Sequence, residues 1–164
     1  MKLPAGPGLI FASVIAAYLF NSLPWFGWAL AARPDLVLVV LVFWAIHQPG
    51  SVGQGVAFAL GLAMDVGDSM LLGQHALAYV IATYGAQVIR VRVLAFPFLE
   101  QTLHVLGLFV GAAVVIVLLN LLLGASLPGP ALLLSPVLAS LAWGPLTWLL
   151  YLPALRRMRR ESAA

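Results

Sequence analysis

Six apolar runs fill the chain, each closed by proline, glycine or a short polar cluster. A membrane-spanning helix needs about 20 mostly apolar residues, and the runs predict such helices at 8–28, 34–48, 52–70, 73–89, 97–123 and 131–155. The second is short. It opens at Pro34, whose missing N–H suits a first helical turn, and stops before Pro49-Gly50. A helix of about 15 residues reaches only about 22 Å, so this span is expected to borrow flanking turns or to sit where the bilayer thins. In the third run Gly53, Ala57, Gly61 and Asp65 recur every four residues and so share one slowly drifting stripe. Small residues on one stripe let another helix approach closely, which in lipid largely replaces the hydrophobic effect as the packing force.

Composition makes lipid the solvent. The chain is 63% hydrophobic and 8% charged, with a mean hydropathy of +1.09, whereas soluble domains carry roughly 25% charged residues. Residues 1–164 therefore read as one integral membrane domain: an all-α, polytopic bundle of six transmembrane helices. Lys2, the first apolar run and Ala29 to Ala31 loosely imitate a signal peptide. That run is too long for one and is broken by Pro24, Trp25 and Trp28, so it is expected to be the first span.

Charge then orients the bundle. With six crossings, Lys2, Arg90, Arg92, Arg156, Arg157, Arg159 and Arg160 share one side and Arg33 lies opposite. Excess Lys and Arg marks the cytoplasmic side, so both termini are expected there. Trp25 and Trp28 at the outer end of span one, and Trp148 and Tyr151 near the inner end of span six, fit interfacial anchors. The net charge of +3 thus reports topology, and no nucleic-acid partner is expected. Arg156, Arg157, Arg159 and Arg160 form a basic cytoplasmic anchor that attracts anionic lipid.

Candidate chemistry is sparse. The absence of cysteine excludes disulfides and thiolate metal sites. His47, His75 and His104 have no metal-ligand spacing, and no nucleophile–base pair or phosphate-binding glycine loop occurs. Neither catalysis, a metal nor a cofactor is expected. Glu100 and His104 read as a solvated pair, and Gly107 with Gly111 forms a GxxxG, a weak packing signal. Pro145 is expected to kink span six.

Asp65 is the acid that needs explaining. An intramembrane carboxylate costs roughly 2.5–3.5 kcal/mol on insertion scales and normally faces a partner inside the bundle. Arg33 and the hydroxyl and amide groups of span four are the candidate partners. It is either a hydrogen-bonding post between helices or a contact to a partner helix or proton-coupled site. No chain of ionisable groups leads inward from it, which weakens a proton relay. Gly53, Ala57, Gly61, Asp65 and Gly73 together form the candidate helix-packing or partner contact. Asp68 is expected to accept backbone N–H groups in the following turn. Arg33 and Asp35 form an outer-face polar pair, either an ordinary helix start with Asp35 complementing the dipole or a recognition site.

RPDLVLVVLVFWAIHQP and VGQGVAFALGLAMDVGDSMLLGQHALAYVIATY, between Arg33 and Tyr84, resemble the MreD family of rod shape-determining membrane proteins. The resemblance rests on Arg33-Pro34 opening an aliphatic helix that ends in Phe43-Trp44, then Pro49. It continues with Gly61-Leu62 before Asp65, and Leu72-Gly73 before an apolar helix containing Ala78 and Tyr79. Where family members commonly carry an amide after Arg-Pro, this chain has Asp35. The resemblance implies a non-enzymatic inner-membrane component of the bacterial cell-elongation machinery, acting in peptidoglycan synthesis. Its implied partners are the single-span protein MreC, the polymerase RodA with its penicillin-binding transpeptidase, and the MreB filament. The family is also similar in fold to substrate-binding subunits of vitamin importers, so a small-molecule transporter subunit is the alternative. Under the shape-protein reading, the Gly53–Ala57–Gly61 seam and Asp65 either hold the bundle together or receive a partner helix.

Overall fold

The computed structural model describes residues 6–124 and 133–161, with side chains for all of these except 31 and 154–161. Seven helices follow in order: α1 (Pro7–Asn21), α2 (Trp28–Ala32), α3 (Leu36–His47), α4 (Gln54–Gly67), α5 (Gln74–Ala95), α6 (Phe98–Leu122) and α7 (Leu134–Glu161). Three of them, α5, α6 and α7 as far as Pro153, are long and apolar enough to cross a membrane, and α1, α3 and α4 are shorter apolar helices.

The predicted first span, 8–28, is two pieces. α1 stops at Asn21 because Leu23 precedes a proline, which pushes the chain out of the helical region. Trp25 then turns back, its Nε1 donating to the Phe20 carbonyl at 3.3 Å, and Gly27 takes φ +58° before α2 begins. The predicted fourth span, 73–89, is too short. α5 runs on through Arg90 and Arg92, which are good helix formers, and ends where Phe96 is extended ahead of Pro97. α7 continues through both Pro145 and Pro153. The basic anchor at 156–160 lies on its last turns, and those side chains fall outside the described residues.

α3 is the centre of the bundle. Every residue from Val37 to His47 is buried, as expected for a helix that is apolar all round. It packs on α1, α5 and α7, while α4 lies against α5, α6 bridges α5 and α7, and α2 rests on α7. This enclosure accounts for its length. A helix surrounded by protein need not reach both membrane surfaces, provided its terminal backbone groups find partners inside. Neither borrowed turns nor a thinned bilayer is required.

Both ends of α3 are so satisfied. At the N-terminus the Asp35 carboxylate accepts from Leu38 N at 3.1 Å and Asn21 Oδ1 accepts from Leu36 N at 3.2 Å. A carboxylate cap also complements the helix dipole. At the C-terminus Arg90 Nε donates to the Ile46 carbonyl. His47 donates from Nδ1 to Phe43 O at 2.8 Å and accepts at Nε2 from the Tyr151 hydroxyl at 2.7 Å. The two clamps define an Arg33 end and an Arg90 end. The start of α1 lies beside Ser51 and Val52 at the Arg90 end, where Tyr151 of α7 also sits.

Candidate functional site

The polar residues of the sequence's first half converge at the Arg33 end. Arg33 donates to both oxygens of Asp68, Nη1 to Oδ1 at 3.0 Å and Nη2 to Oδ2 at 2.6 Å, and Nη1 also reaches the Asn21 carbonyl at 2.7 Å. This two-point fork is the strong form of an ion pair. Burial alone lowers the Arg33 pKa, but the bond to Asp68 and its charge outweigh that, and the pKa stands above its ordinary value. The ion pair joins the start of α3 to the end of α4. Asp68 therefore serves a guanidinium rather than the backbone of its own turn, and Arg33 pairs with Asp68 rather than with Asp35.

Asp35 is the hub between α1, α3 and α5. Besides capping α3, it accepts from Asn21 Nδ2 at 3.0 Å and from the Tyr79 hydroxyl at 2.6 Å. Tyr79 is fully buried, so that short bond to a charged acceptor is its anchor. Hydrogen bonds to charged groups contribute roughly 1.5–3 kcal/mol. Tyr79→Phe is expected to lower stability by about 2 kcal/mol, read as the unfolding midpoint of the purified chain in mixed micelles. An unchanged midpoint would show that the Asp35 hub does not hold α5.

Asp65 is completely buried and its partners all belong to the start of α5. Oδ2 accepts from Gly73 N at 2.7 Å, and Oδ1 accepts from His75 N at 2.8 Å and from the His75 ring at Nδ1, 2.9 Å away. The first N–H groups of a helix have no partner within it. A carboxylate from the neighbouring helix fills that role here, in a place where the dipole also favours negative charge. Arg33, a candidate partner from the sequence, is engaged elsewhere.

The small-residue stripe works unevenly. A Cβ at Gly61 would stand 2.3 Å from Ala76 Cα and 2.5 Å from Ala76 N, so α4 and α5 touch backbone to backbone there. Ala57 is buried. Gly53 is the N-cap of α4, and a Cβ on it would meet nothing within 4 Å, so it takes no part in the contact. Gly73 contributes through its backbone: φ is +106°, which favours glycine and presents its N–H to Asp65. Gly107 and Gly111 of α6 also face open space. His104 donates from Nδ1 to the Glu100 carbonyl at 2.8 Å, an exposed contact with the backbone rather than the carboxylate.

Beside the cluster lies a partly enclosed cavity of about 160 Å³, bordered by Arg33, Asp35, His75 and Tyr79 on one side and by residues of α6 and α7, apolar apart from Ser135, on the other. Among the described residues no group of three His, Asp or Glu side chains is placed to hold a metal ion. Asn21, His75 and Tyr79 are the members that pattern reading did not single out in these roles. Two signals existed: Asn21 is polar within an apolar run, and His75 and Tyr79 are four apart on one face of α5.

A family model described as rod shape-determining protein MreD matches residues 4–152. The chain belongs to the MreD family. Membership makes it a rod shape-determining membrane protein, and the MreD match extends well past the Arg33–Tyr84 stretch that carried the resemblance. No solved structure matches the chain. Within this MreD chain the quoted family stretch supplies most of the cluster: Arg33, Asp35, Gly61, Asp65, Gly73 and Tyr79 all lie in it.

Proposed function

We propose that this MreD-family chain is a non-enzymatic, six-span component of the bacterial inner membrane that maintains rod shape by scaffolding MreC and the peptidoglycan synthases. Those synthases are RodA and its penicillin-binding transpeptidase, working alongside the MreB filament. The observation that carries this is the family match over residues 4–152. The geometry adds support. Asp35, Asp65 and Asp68 are each bonded to groups of this same chain, which suits a rigid body that partners grip from outside. Arg90 and Arg92 share one end with the start of α1, and Arg33 lies at the other, which favours both termini in the cytoplasm.

The transporter alternative gains nothing comparable. Ligand sites for vitamin-sized molecules run roughly 300–1,000 Å³ and carry a few placed polar groups. The polar cavity at the Arg33 end is about 160 Å³, and the larger groove of about 670 Å³ beside the start of α1 is lined by apolar residues apart from Ser51. An affinity-tagged chain, expressed at its native level and solubilised gently, is expected to retain MreC and the RodA–transpeptidase pair. Retention of none of these would overturn the scaffold proposal.

A further inference from the structure

We propose that the cavity at the Arg33 end binds a small zwitterion, with its ammonium on His75 and Asp35 and its anionic group on Arg33. The proposal concerns the chain alone and does not depend on any protein partner.

Hydrogen-bonding capacity left over at the cavity wall carries it. His75 is nine-tenths buried and borders the cavity. Its Nδ1 faces the Asp65 carboxylate, which can only accept, so in the neutral ring the proton sits on Nδ1 and Nε2 is left as a lone-pair acceptor. Among the described residues Nε2 has no partner. Asp35 also borders the cavity. Its Oδ1 accepts from Asn21 and Leu38, but Oδ2 accepts only from Tyr79, leaving one of roughly four carboxylate acceptor sites open. Arg33 carries five N–H donors. Three are engaged, one by the Asn21 carbonyl and two by Asp68, which leaves Nε and one Nη2 hydrogen.

The residues that carry two spare acceptors and two spare donors thus border one side, and the opposite side, with Phe109, Ala112 and Ile116, is apolar apart from Ser135. An anion alone would meet Asp35, and a cation alone would leave the guanidinium donors unmet. A molecule carrying both charges a few bonds apart satisfies each. The volume sets its size: a cavity of about 150 Å³ accommodates a molecule of benzene's dimensions. Phosphoethanolamine and a small free amino acid such as glycine both qualify. The first would come from a lipid headgroup, the second from the aqueous phase.

The test is thermal unfolding of the full chain in detergent, followed by tryptophan fluorescence, with phosphoethanolamine, glycine, ethanolamine or inorganic phosphate added. At least one zwitterion is expected to raise the midpoint, half-saturating at a concentration about tenfold or more below ethanolamine or phosphate. A response to phosphoethanolamine alone identifies the headgroup as the source, and a response to glycine alone identifies a free amino acid. Ala113→Leu, which fills the cavity from α6, is expected to abolish the response. Arg33→Lys keeps the charge opposite Asp68 but lacks the spare fork donors, and should weaken binding at least about tenfold. No response to either zwitterion overturns the proposal, as does a response that survives unchanged in both variants.

Discussion

Gly61→Ala is expected to force α4 away from α5 and to destabilise the chain by about 3 kcal/mol or more. The new Cβ would lie 2.3 Å from Ala76 Cα and 2.7 Å from the His75 carbonyl carbon. Those are backbone atoms, so no rotamer change relieves the overlap and a whole helix must shift. Overpacking in a tight core costs roughly 1–3 kcal/mol when side chains can yield, and here they cannot. Gly111→Ala on α6, where a Cβ meets nothing within 4 Å, is the matched control and should leave the midpoint unchanged. Equal effects at the two positions would show that the backbone contact does not hold the helices.

Asp65→Ala should be the most damaging single change at the polar cluster. It strips the acceptor from Gly73 N, His75 N and the His75 ring at once. Each buried donor left unmet costs about 1–3 kcal/mol, so the loss is expected to be at least about 3 kcal/mol. Asp65→Asn retains one acceptor oxygen and should lose less. A midpoint in Asp65→Ala equal to that of the native chain would contradict the role given to the carboxylate.

The sequence was legible where a physical rule acts locally. Runs of apolar residues marked every long helix, and the four-residue spacing of Gly61 and Asp65 put both on the face that meets α5. The apolar-all-round composition of LVLVVLVFWAIH was itself a sign of enclosure, although its short length was more naturally referred to the bilayer. Partner choice was not legible. Asp65, Asp68, Arg33 and Asp35 were all recognisable as polar residues of an apolar chain, but which acid meets Arg33 depends on how α4 is placed against α3. That placement is set by the Gly61–Ala76 contact, a long-range fact absent from any local pattern. Spacing alone groups Gly53 with the seam, but Gly53 is the N-cap of α4, where α4 and α5 are joined through the Gln54 and Gln87 side chains rather than by close backbone approach. The join between Asn21 and Trp28 was hidden because the apolar character continues while Pro24 and Gly27 end the helix.

Amide hydrogen exchange at Gly73 and His75 tests most directly whether a buried acid of α4 fastens the start of α5. In the native chain both amides are expected to exchange slowly, and in Asp65→Ala at least about tenfold faster, matching a loss of 1.4 kcal/mol or more of local protection, while amides in the middle of α6 stay unchanged. Exchange at Gly73 and His75 as rapid in the native chain as in the exposed turn at Ser69 would contradict the account.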